Sequence, residues 1–86
     1  MSACESGCLI TQIAIINLHA SEVTVAHAHN DMQEGFYVLN GHMDMVLDGE
    51  VERCKAKDFV YVKWGISHEL RATTDVSVMT IGCEIV

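Results

Sequence analysis

A two-residue alternation of apolar and polar side chains recurs along this chain, in short segments separated by Gly, Asn and Asp. Side chains at every second position share one face of a strand, so this period is typical of half-buried β-strands and not of helices. The dipeptides Asn40-Gly41 and Asp48-Gly49 tolerate the positive φ angles of tight hairpin turns. The pattern therefore predicts an all-β domain of seven or eight strands, closed into a small barrel because closure removes exposed sheet edges.

The predicted strands cover residues 9–17, 22–29, 34–39, 43–47, 51–57, 59–62, 68–72 and 76–85. Residues 9–17 carry apolar side chains on both faces, which suggests a contact between two copies of the chain. Arg53, Lys55 and Lys57 alternate along one face of their strand. We interpret them as a solvated edge that discourages aggregation, with an anion-binding stripe as the alternative.

The chain has 86 residues with 12 acidic and 5 basic side chains, a formal charge of −7. This length predicts a single domain, residues 1–86, with residues 1–8 as a candidate loose N-terminal segment. Nucleic acid is not expected as a partner, because binding to phosphates requires an excess of Lys and Arg.

The apolar stretch 9–18 is interrupted by Thr11, Gln12 and Asn17 and falls short of the ~20 residues that a membrane helix requires. The first basic residue is Arg53, so the basic start of a signal peptide is not seen. We therefore expect no membrane partner and a cytoplasmic protein with reduced thiols.

Four cysteines, Cys4, Cys8, Cys54 and Cys83, fall into two pairs of different character. Cys54 and Cys83 lie in apolar strand-like runs, where a thiol behaves as a small hydrophobe. Cys4 and Cys8 have a spacing that allows metal binding or a reversible disulfide, but the second ligand pair of a zinc site is missing. Their role stays open.

Histidines and a carboxylate form the candidate chemical site. His27 and His29 would project from one face of their strand about 6–7 Å apart, close enough to reach one ion. Glu34 begins the next strand, and His68 would have to arrive from across the fold, which spacing alone does not establish. Surface or satisfied histidines are the alternative. However, burying two imidazoles and a carboxylate on a face of valines costs several kcal/mol unless something pairs with them, as a divalent cation does.

The same residues resemble the motifs of the cupin superfamily. The first motif, G(x)5HxH(x)3,4E(x)6G, matches His27, His29, Glu34 and Gly41, with Ser21 in place of the leading glycine. The second, G(x)5PxG(x)2H(x)3N, matches in part through Gly65 and His68. Three positions of the second motif depart from the pattern, namely Lys57 for its first glycine, Lys63 for the proline and Ala72 for the asparagine.

The resemblance covers residues 22–72 and implies a jelly-roll double-stranded β-barrel, usually a homodimer. It also implies that His27, His29, Glu34 and His68 bind one divalent transition metal, where Fe, Mn, Ni, Co and Zn are not distinguished. The alternation would line this site with apolar residues, namely Phe36, Val38, Met43, Met45 and Leu70.

Other polar and aromatic residues have weaker assignments. Tyr61 and Trp64 would either flank the mouth of the pocket or serve in packing. Lys63 and Arg71 are candidates for holding a substrate carboxylate, although single charges are more often exposed. The remaining histidines, at positions 19 and 42, are expected at the surface.

Two functions remain open on this basis. The first is a metal-dependent enzyme, a dioxygenase, isomerase or decarboxylase acting on a small oxygenated acid, because an open metal site polarises carbonyls or gathers substrate with oxygen. The second is a module that binds a metal or a small anionic ligand without turnover. No general base separate from the four ligands is identifiable from the residues.

Overall fold

The alternating segments form β-strands throughout the part of the chain that is described. The structure, a computed structural model, describes residues 8–24, 28 and 32–85. Within these ranges there are seven strands: β1 (Cys8–Leu18), β2 (Met32–Asn40), β3 (His42–Leu47), β4 (Glu50–Lys55), β5 (Phe59–Val62), β6 (His68–Ala72) and β7 (Val76–Ile85). The predicted all-β class is confirmed.

The strands form two antiparallel sheets that pack face to face. The larger sheet has the order β1-β7-β2-β5 and the smaller has the order β4-β3-β6. The chain passes from one sheet to the other four times, between β2 and β3, between β4 and β5, between β5 and β6, and between β6 and β7. This crossing pattern gives the predicted jelly-roll type of double-stranded β-barrel.

The hairpin between β3 and β4 follows directly from its sequence. Asp48 and Gly49 have φ angles of 46° and 87°, and the flanking Leu47 pairs with Glu50. A two-residue loop with positive φ at both positions matches the right-handed twist of its strands, which is why Asp-Gly is favoured there. The prediction of a tight turn at this dipeptide is confirmed.

Three predicted boundaries differ from the structure. Cys8 is the first residue of β1, so only residues 1–7 of the proposed loose segment remain, and these lie outside the described residues. β4 ends at Lys55, because Lys57 has a φ of 77° and lies in the turn to β5. Of the predicted strand 22–29, residues 22–24 and 28 are described, and Val23 forms an isolated bridge with Arg71.

β4 is an edge strand of the smaller sheet, and its basic residues Arg53 and Lys55 are exposed. This agrees with the interpretation of a solvated edge. A charged edge disfavours pairing with the strands of other molecules.

The core lies between the two sheets and draws on every strand from β2 to β7. Its buried apolar residues are Phe36, Val38, Met43, Met45, Cys54, Val62, Leu70, Ala72, Val76 and Val78. The assignment of Met43, Met45 and Cys54 to the core is therefore confirmed. Strand alternation brings these side chains inward, and polar residues such as Glu34, His68 and Thr80 come with them.

Candidate functional site

Glu34 and His68 enter the core from opposite sheets. Glu34 lies on β2 and shares its inward face with Phe36 and Val38, because residues two apart point to the same side. His68 is the first residue of β6, where Leu70 faces the same way. The contact that sequence spacing could not establish is therefore present in the fold.

The side chains of this pair are in direct contact. Nε2 of His68 lies 3.0 Å from Oε1 of Glu34. The histidine side chain is 2% exposed and the glutamate side chain is 16% exposed. A charged group at such a buried position requires a compensating partner.

The second ring nitrogen of His68 fixes the orientation of the imidazole. Nδ1 lies 3.2 Å from the carbonyl oxygen of Ile66, which can only accept a hydrogen bond. Nδ1 is therefore assigned as the donor. The ring of Phe36 packs at a tilt of 55°, with 5.5 Å between the ring centroids, and restricts the imidazole further.

This orientation constrains what can lie between His68 and Glu34. With the proton on Nδ1, a neutral imidazole presents the lone pair of Nε2 to a carboxylate oxygen, and two acceptors 3.0 Å apart repel. Either Nε2 is also protonated, so that the two residues form an ion pair, or the two atoms share a cation. Nitrogen and oxygen ligands about 2.0–2.2 Å from one ion lie about 2.9–3.4 Å apart at right-angle to tetrahedral geometry. The observed separation of 3.0 Å fits a hydrogen-bonded ion pair and a shared metal ion equally well.

The other two predicted ligands, His27 and His29, lie outside the described residues. Within residues 8–24, 28 and 32–85, no group of three or more His, Cys, Asp or Glu side chains is arranged to hold a metal. Metal binding by the set of four residues therefore stays a prediction, of which the fold shows the contact between Glu34 and His68.

The five residues predicted to line the site lie in the core, where the ring of Phe36 contacts that of His68. Phe36, Val38, Met43, Met45 and Leu70 are all buried in the core between the sheets.

The two aromatic residues assigned to the pocket mouth do not face the interior. Tyr61 alternates with the buried Val62, so its ring lies on the outer face of the larger sheet, where its hydroxyl donates to Oε1 of Gln33. Trp64 is exposed in the turn after β5.

The remaining charged candidates are at the surface. Lys63 and Arg71 are exposed, and Nε of Arg71 lies 2.5 Å from a carboxylate oxygen of Glu69. His19 and His42 are exposed as expected.

A surface cavity that the sequence did not indicate lies away from the Glu34–His68 pair. Its volume is about 280 Å³, and its lining residues are His42, Met43, Asp44, Arg53, Cys54, Thr73 and Thr74. Of the predicted metal ligands that the structure describes, neither Glu34 nor His68 lines it. The lining comes from β3, β4 and the turn after β6, which become neighbours only through strand pairing.

Two titratable groups outside the candidate site have shifted pKa values. Burial raises the pKa of the Cys54 thiol, and the nearby negative charges of Asp58 and Glu52 raise it further. Cys54 is therefore protonated at neutral pH and acts as a core hydrophobe. The backbone N–H of Lys55 donates to the carboxylate of Asp58 and lowers its pKa.

Within the described residues, no helix has the length and hydropathy needed to cross a membrane.

Comparisons with known proteins agree with this architecture. A family model described as a cupin domain (Cupin_2) matches residues 14–82. An uncharacterized protein of Aquifex aeolicus is 32% identical over 65 residues; the match covers 76% of this chain and 52% of the relative, so the chain spans about half the length of that protein.

Solved structures with a similar fold have lower sequence identity. A predicted oxalate decarboxylase from Thermotoga maritima superposes with a TM-score of 0.82 at 22% identity, over 98% of this chain and 72% of the other. KdgF from Halomonas sp. gives a TM-score of 0.77 at 18% identity, over 94% of this chain and 81% of the other. At these identities the likeness shows the fold alone. Because the family model spans most of the chain, this protein belongs to the cupin family.

Proposed function

We propose that this protein is a small metal-binding cupin that uses a divalent transition metal to act on a small oxygenated organic acid. The observation that carries the proposal is the buried contact between Nε2 of His68 and Oε1 of Glu34, 3.0 Å apart, from two different sheets. A shared cation removes the repulsion between the two acceptors without a second proton on the imidazole. Its remaining ligands would be His27 and His29.

Each described residue has a separate part in holding such an ion. The carbonyl oxygen of Ile66 accepts a hydrogen bond from the N–H at Nδ1 and leaves the lone pair of Nε2 directed at the site. A hydrogen bond of this kind fixes the tautomer and the ring orientation of metal-binding histidines. The carboxylate of Glu34 supplies one negative charge, which leaves a site with three neutral imidazoles and a divalent ion at a net charge near +1.

That residual charge determines the class of ligand. An anionic oxygen donor, such as a carboxylate, would be attracted to an open position on the ion. When bound, the metal would supply Lewis acidity for carbonyl polarisation or, if redox active, a place for oxygen to bind. The fold likeness to a predicted oxalate decarboxylase is consistent with a small acid as substrate.

A non-catalytic binding module is the second candidate. The described residues that share the inward faces of Glu34 and His68 are apolar, including Phe36, Val38 and Leu70. None of these three can transfer a proton. A site of this kind would bind a metal or an anion for sensing or delivery.

Metal analysis of chain purified without chelator tests the proposal. We expect about one divalent ion per chain for the wild type, and at least a tenfold loss of metal affinity for both His68→Gln and Glu34→Gln. His42→Gln is the matched control, because His42 is exposed and lies outside the predicted site. If the wild type takes up none of Mn, Fe, Co, Ni or Zn, or if His68→Gln binds as well as the wild type, the metal site is wrong.

Turnover assays then separate the two candidates. Oxygen uptake and product formation are measured with a panel of small carboxylates and diketones. The enzyme is supported by metal-dependent turnover that is lost in His68→Gln and kept in His42→Gln. The binding module is supported if no panel member reacts while one of them raises the melting temperature of the metal-loaded protein.

A further inference from the structure

The surface cavity beside β3 and β4 has no part in the proposed function. Its volume is about 280 Å³, which is at the lower end of the range for pockets that bind small ligands. Neither Glu34 nor His68 lines it, so an occupant would be separate from the candidate metal site. Five of its seven lining residues have polar or charged side chains, namely His42, Asp44, Arg53, Thr73 and Thr74.

Strand register places the two charged residues of the cavity side by side. Asp44 of β3 lies opposite Arg53 of β4, and directly opposite residues have Cβ atoms about 4.5–5.5 Å apart. The neighbours Met43 and Met45 are buried in the core, so alternation turns Asp44 toward the outer side of the smaller sheet. Cys54 is buried beside Arg53 in the same way. The two opposite charges therefore share the outer side of the sheet.

One wall of the cavity is the turn after β6, which is bonded to the start of β3. The backbone N–H groups of Thr73 and Thr74 donate to the carbonyl oxygen of His42 at 3.0 and 3.2 Å. The backbone N–H of His42 in turn donates to Oγ1 of Thr74 at 3.0 Å. These three bonds hold the turn against β3, so the shape of the cavity does not depend on a loose loop.

Of the three alternating basic residues, Arg53 is the one that lines the cavity. Nζ of Lys55 lies 3.4 Å from a carboxylate oxygen of Asp58, and Lys57 lies in the turn to β5. Among the residues that the structure describes, no hydrogen bond or ion pair engages the guanidinium of Arg53. A guanidinium presents parallel N–H groups that match the two oxygens of a carboxylate, so Arg53 is suited to bind one.

We propose that this cavity binds a small zwitterion with a carboxylate and an ammonium group a few ångströms apart, as in an α-amino acid. Arg53 binds the carboxylate, and the carboxylate of Asp44 accepts hydrogen bonds from the ammonium group. A simple anion fits less well, because Asp44 and the formal charge of −7 on the chain repel it. A zwitterion has no net charge and leaves neither charge of the cavity without a partner.

A metal ion is not the occupant that these residues favour. His42, Asp44 and Cys54 all line the cavity, yet within the described part of the chain no group of three His, Cys, Asp or Glu side chains is arranged to hold a metal. Burial also keeps the Cys54 thiol protonated by raising its pKa, whereas a metal binds the thiolate.

Titration of the isotope-labelled protein, as purified, with each of the standard L-amino acids tests this proposal. NMR spectra report binding through the backbone amide signals. At least one amino acid is expected to shift the signals of Asp44, Arg53 and Thr73 saturably, with a dissociation constant of about 1 mM or lower. Its N-acetylated form lacks the ammonium charge and its methyl ester lacks the carboxylate charge. Each is expected to bind about tenfold more weakly or worse.

Two substitutions remove the proposed contacts one at a time. Arg53→Gln and Asp44→Asn are each expected to weaken binding of the amino acid about tenfold or more. Lys55→Gln is the matched control, because it removes the same charge from the same face of β4 at a position outside the cavity. It should bind as the wild type does. Circular dichroism spectra establish that each variant is folded.

Three results would overturn the proposal. The first is that no amino acid shifts the signals of the cavity residues. The second is that the N-acetylated form binds as tightly as the free amino acid, which would leave Asp44 without a role. The third is that Arg53→Gln binds as well as Lys55→Gln.

This inference does not depend on the proposed function. The carboxylate of an amino acid would also be attracted to a metal ion at Glu34 and His68, so His68→Gln is titrated in parallel. Titration in excess chelator makes the same distinction without a substitution. Binding that persists under both conditions supports the cavity, even if the metal site proves wrong. Binding that is lost under both conditions belongs to the metal site and overturns the cavity proposal.

Discussion

Replacement of Lys57 by glycine is expected to stabilise the protein, although it removes a side chain. Lys57 has a φ of 77°, in the left-handed region where a Cβ atom crowds the following carbonyl group. Its backbone N–H donates to the carbonyl oxygen of Val38 at 2.8 Å, and this bond is unaffected by the substitution. Lys57 is exposed, so little packing is lost.

The magnitude follows from two opposing terms. Relief of the left-handed conformation is worth about 1–2 kcal/mol. The greater backbone freedom of glycine in the unfolded chain removes about 0.5–1 kcal/mol of that gain. The net increase in the free energy of unfolding is about 0–1.5 kcal/mol, centred near 0.75 kcal/mol, and the central value corresponds to a rise in melting temperature of roughly 3–6 °C for a domain of this size.

Lys55→Gly is the control that separates the effect of backbone conformation at position 57 from the general effect of introducing glycine. Lys55 is also exposed and lies two residues earlier, at the end of β4, where φ is not in the left-handed region. Both substitutions remove one positive charge, and the exposed ion pair of Lys55 with Asp58 contributes little. Lys55→Gly should therefore lower the free energy of unfolding by about 0.5–1 kcal/mol.

Urea unfolding at equal protein concentrations measures both variants. Equal concentrations are used because any self-association would link stability to concentration. If Lys57→Gly proves destabilising, or if the two glycine variants change stability in the same direction by similar amounts, the argument from backbone conformation is refuted.

Four further predictions rest on single residues. Ser21 has a φ of 76°, and Ser21→Gly should raise the melting temperature as Lys57→Gly does. Gly41→Ala should cost roughly 2–4 kcal/mol in urea unfolding, because its φ is 86° and the new Cβ would lie 2.1 Å from the carbonyl oxygen of Asp75; a cost below 1 kcal/mol would contradict this. Burial raises the pKa of Cys54 above its ordinary 9.0, so the protonated thiol favours the folded state, and stability should fall as pH rises past 9.0 in the wild type but less in Cys54→Ala. The carboxylate of Asp58 has a pKa below its ordinary 3.8, so its contribution is present above that pH and is lost in more acidic solution; the difference in melting temperature between the wild type and Asp58→Ala should shrink as pH falls below 3.8.

Much of the fold could be predicted from local pattern. Alternation placed the strands within a few residues, and the Asp48-Gly49 turn was predicted because its conformational requirement is local. The end of β4 was missed because Arg53, Lys55 and Lys57 continue the two-residue period in sequence. The left-handed turn that interrupts the strand at Lys57 leaves no mark on that pattern, since lysine has no special preference for it.

The candidate site could be predicted from the sequence only in part. The inward direction of the Glu34 side chain follows from its spacing to Phe36 and Val38, because residues two or four positions apart on a strand point to the same face. Its contact with His68 joins β2 of one sheet to β6 of the other and depends on how the two sheets pack. Strand alternation contains no information on packing between sheets, so the family motif was needed to connect these two residues.

Two of the four departures from the cupin motifs concern backbone shape and not ligand chemistry. Ser21 and Lys57 stand where the motifs have glycine, and both adopt the positive φ that glycine accommodates best. Gly65, which the second motif retains, has a φ of 82°. Ser21 and Lys57 thus keep a glycine-like backbone conformation at a cost in conformational energy. At Ser21 this conformation is accompanied by a hydrogen bond, in which its backbone N–H donates to the carbonyl oxygen of Ala72 at 2.9 Å. Because the cost falls on stability, replacing both residues by glycine should change the melting temperature without changing metal affinity.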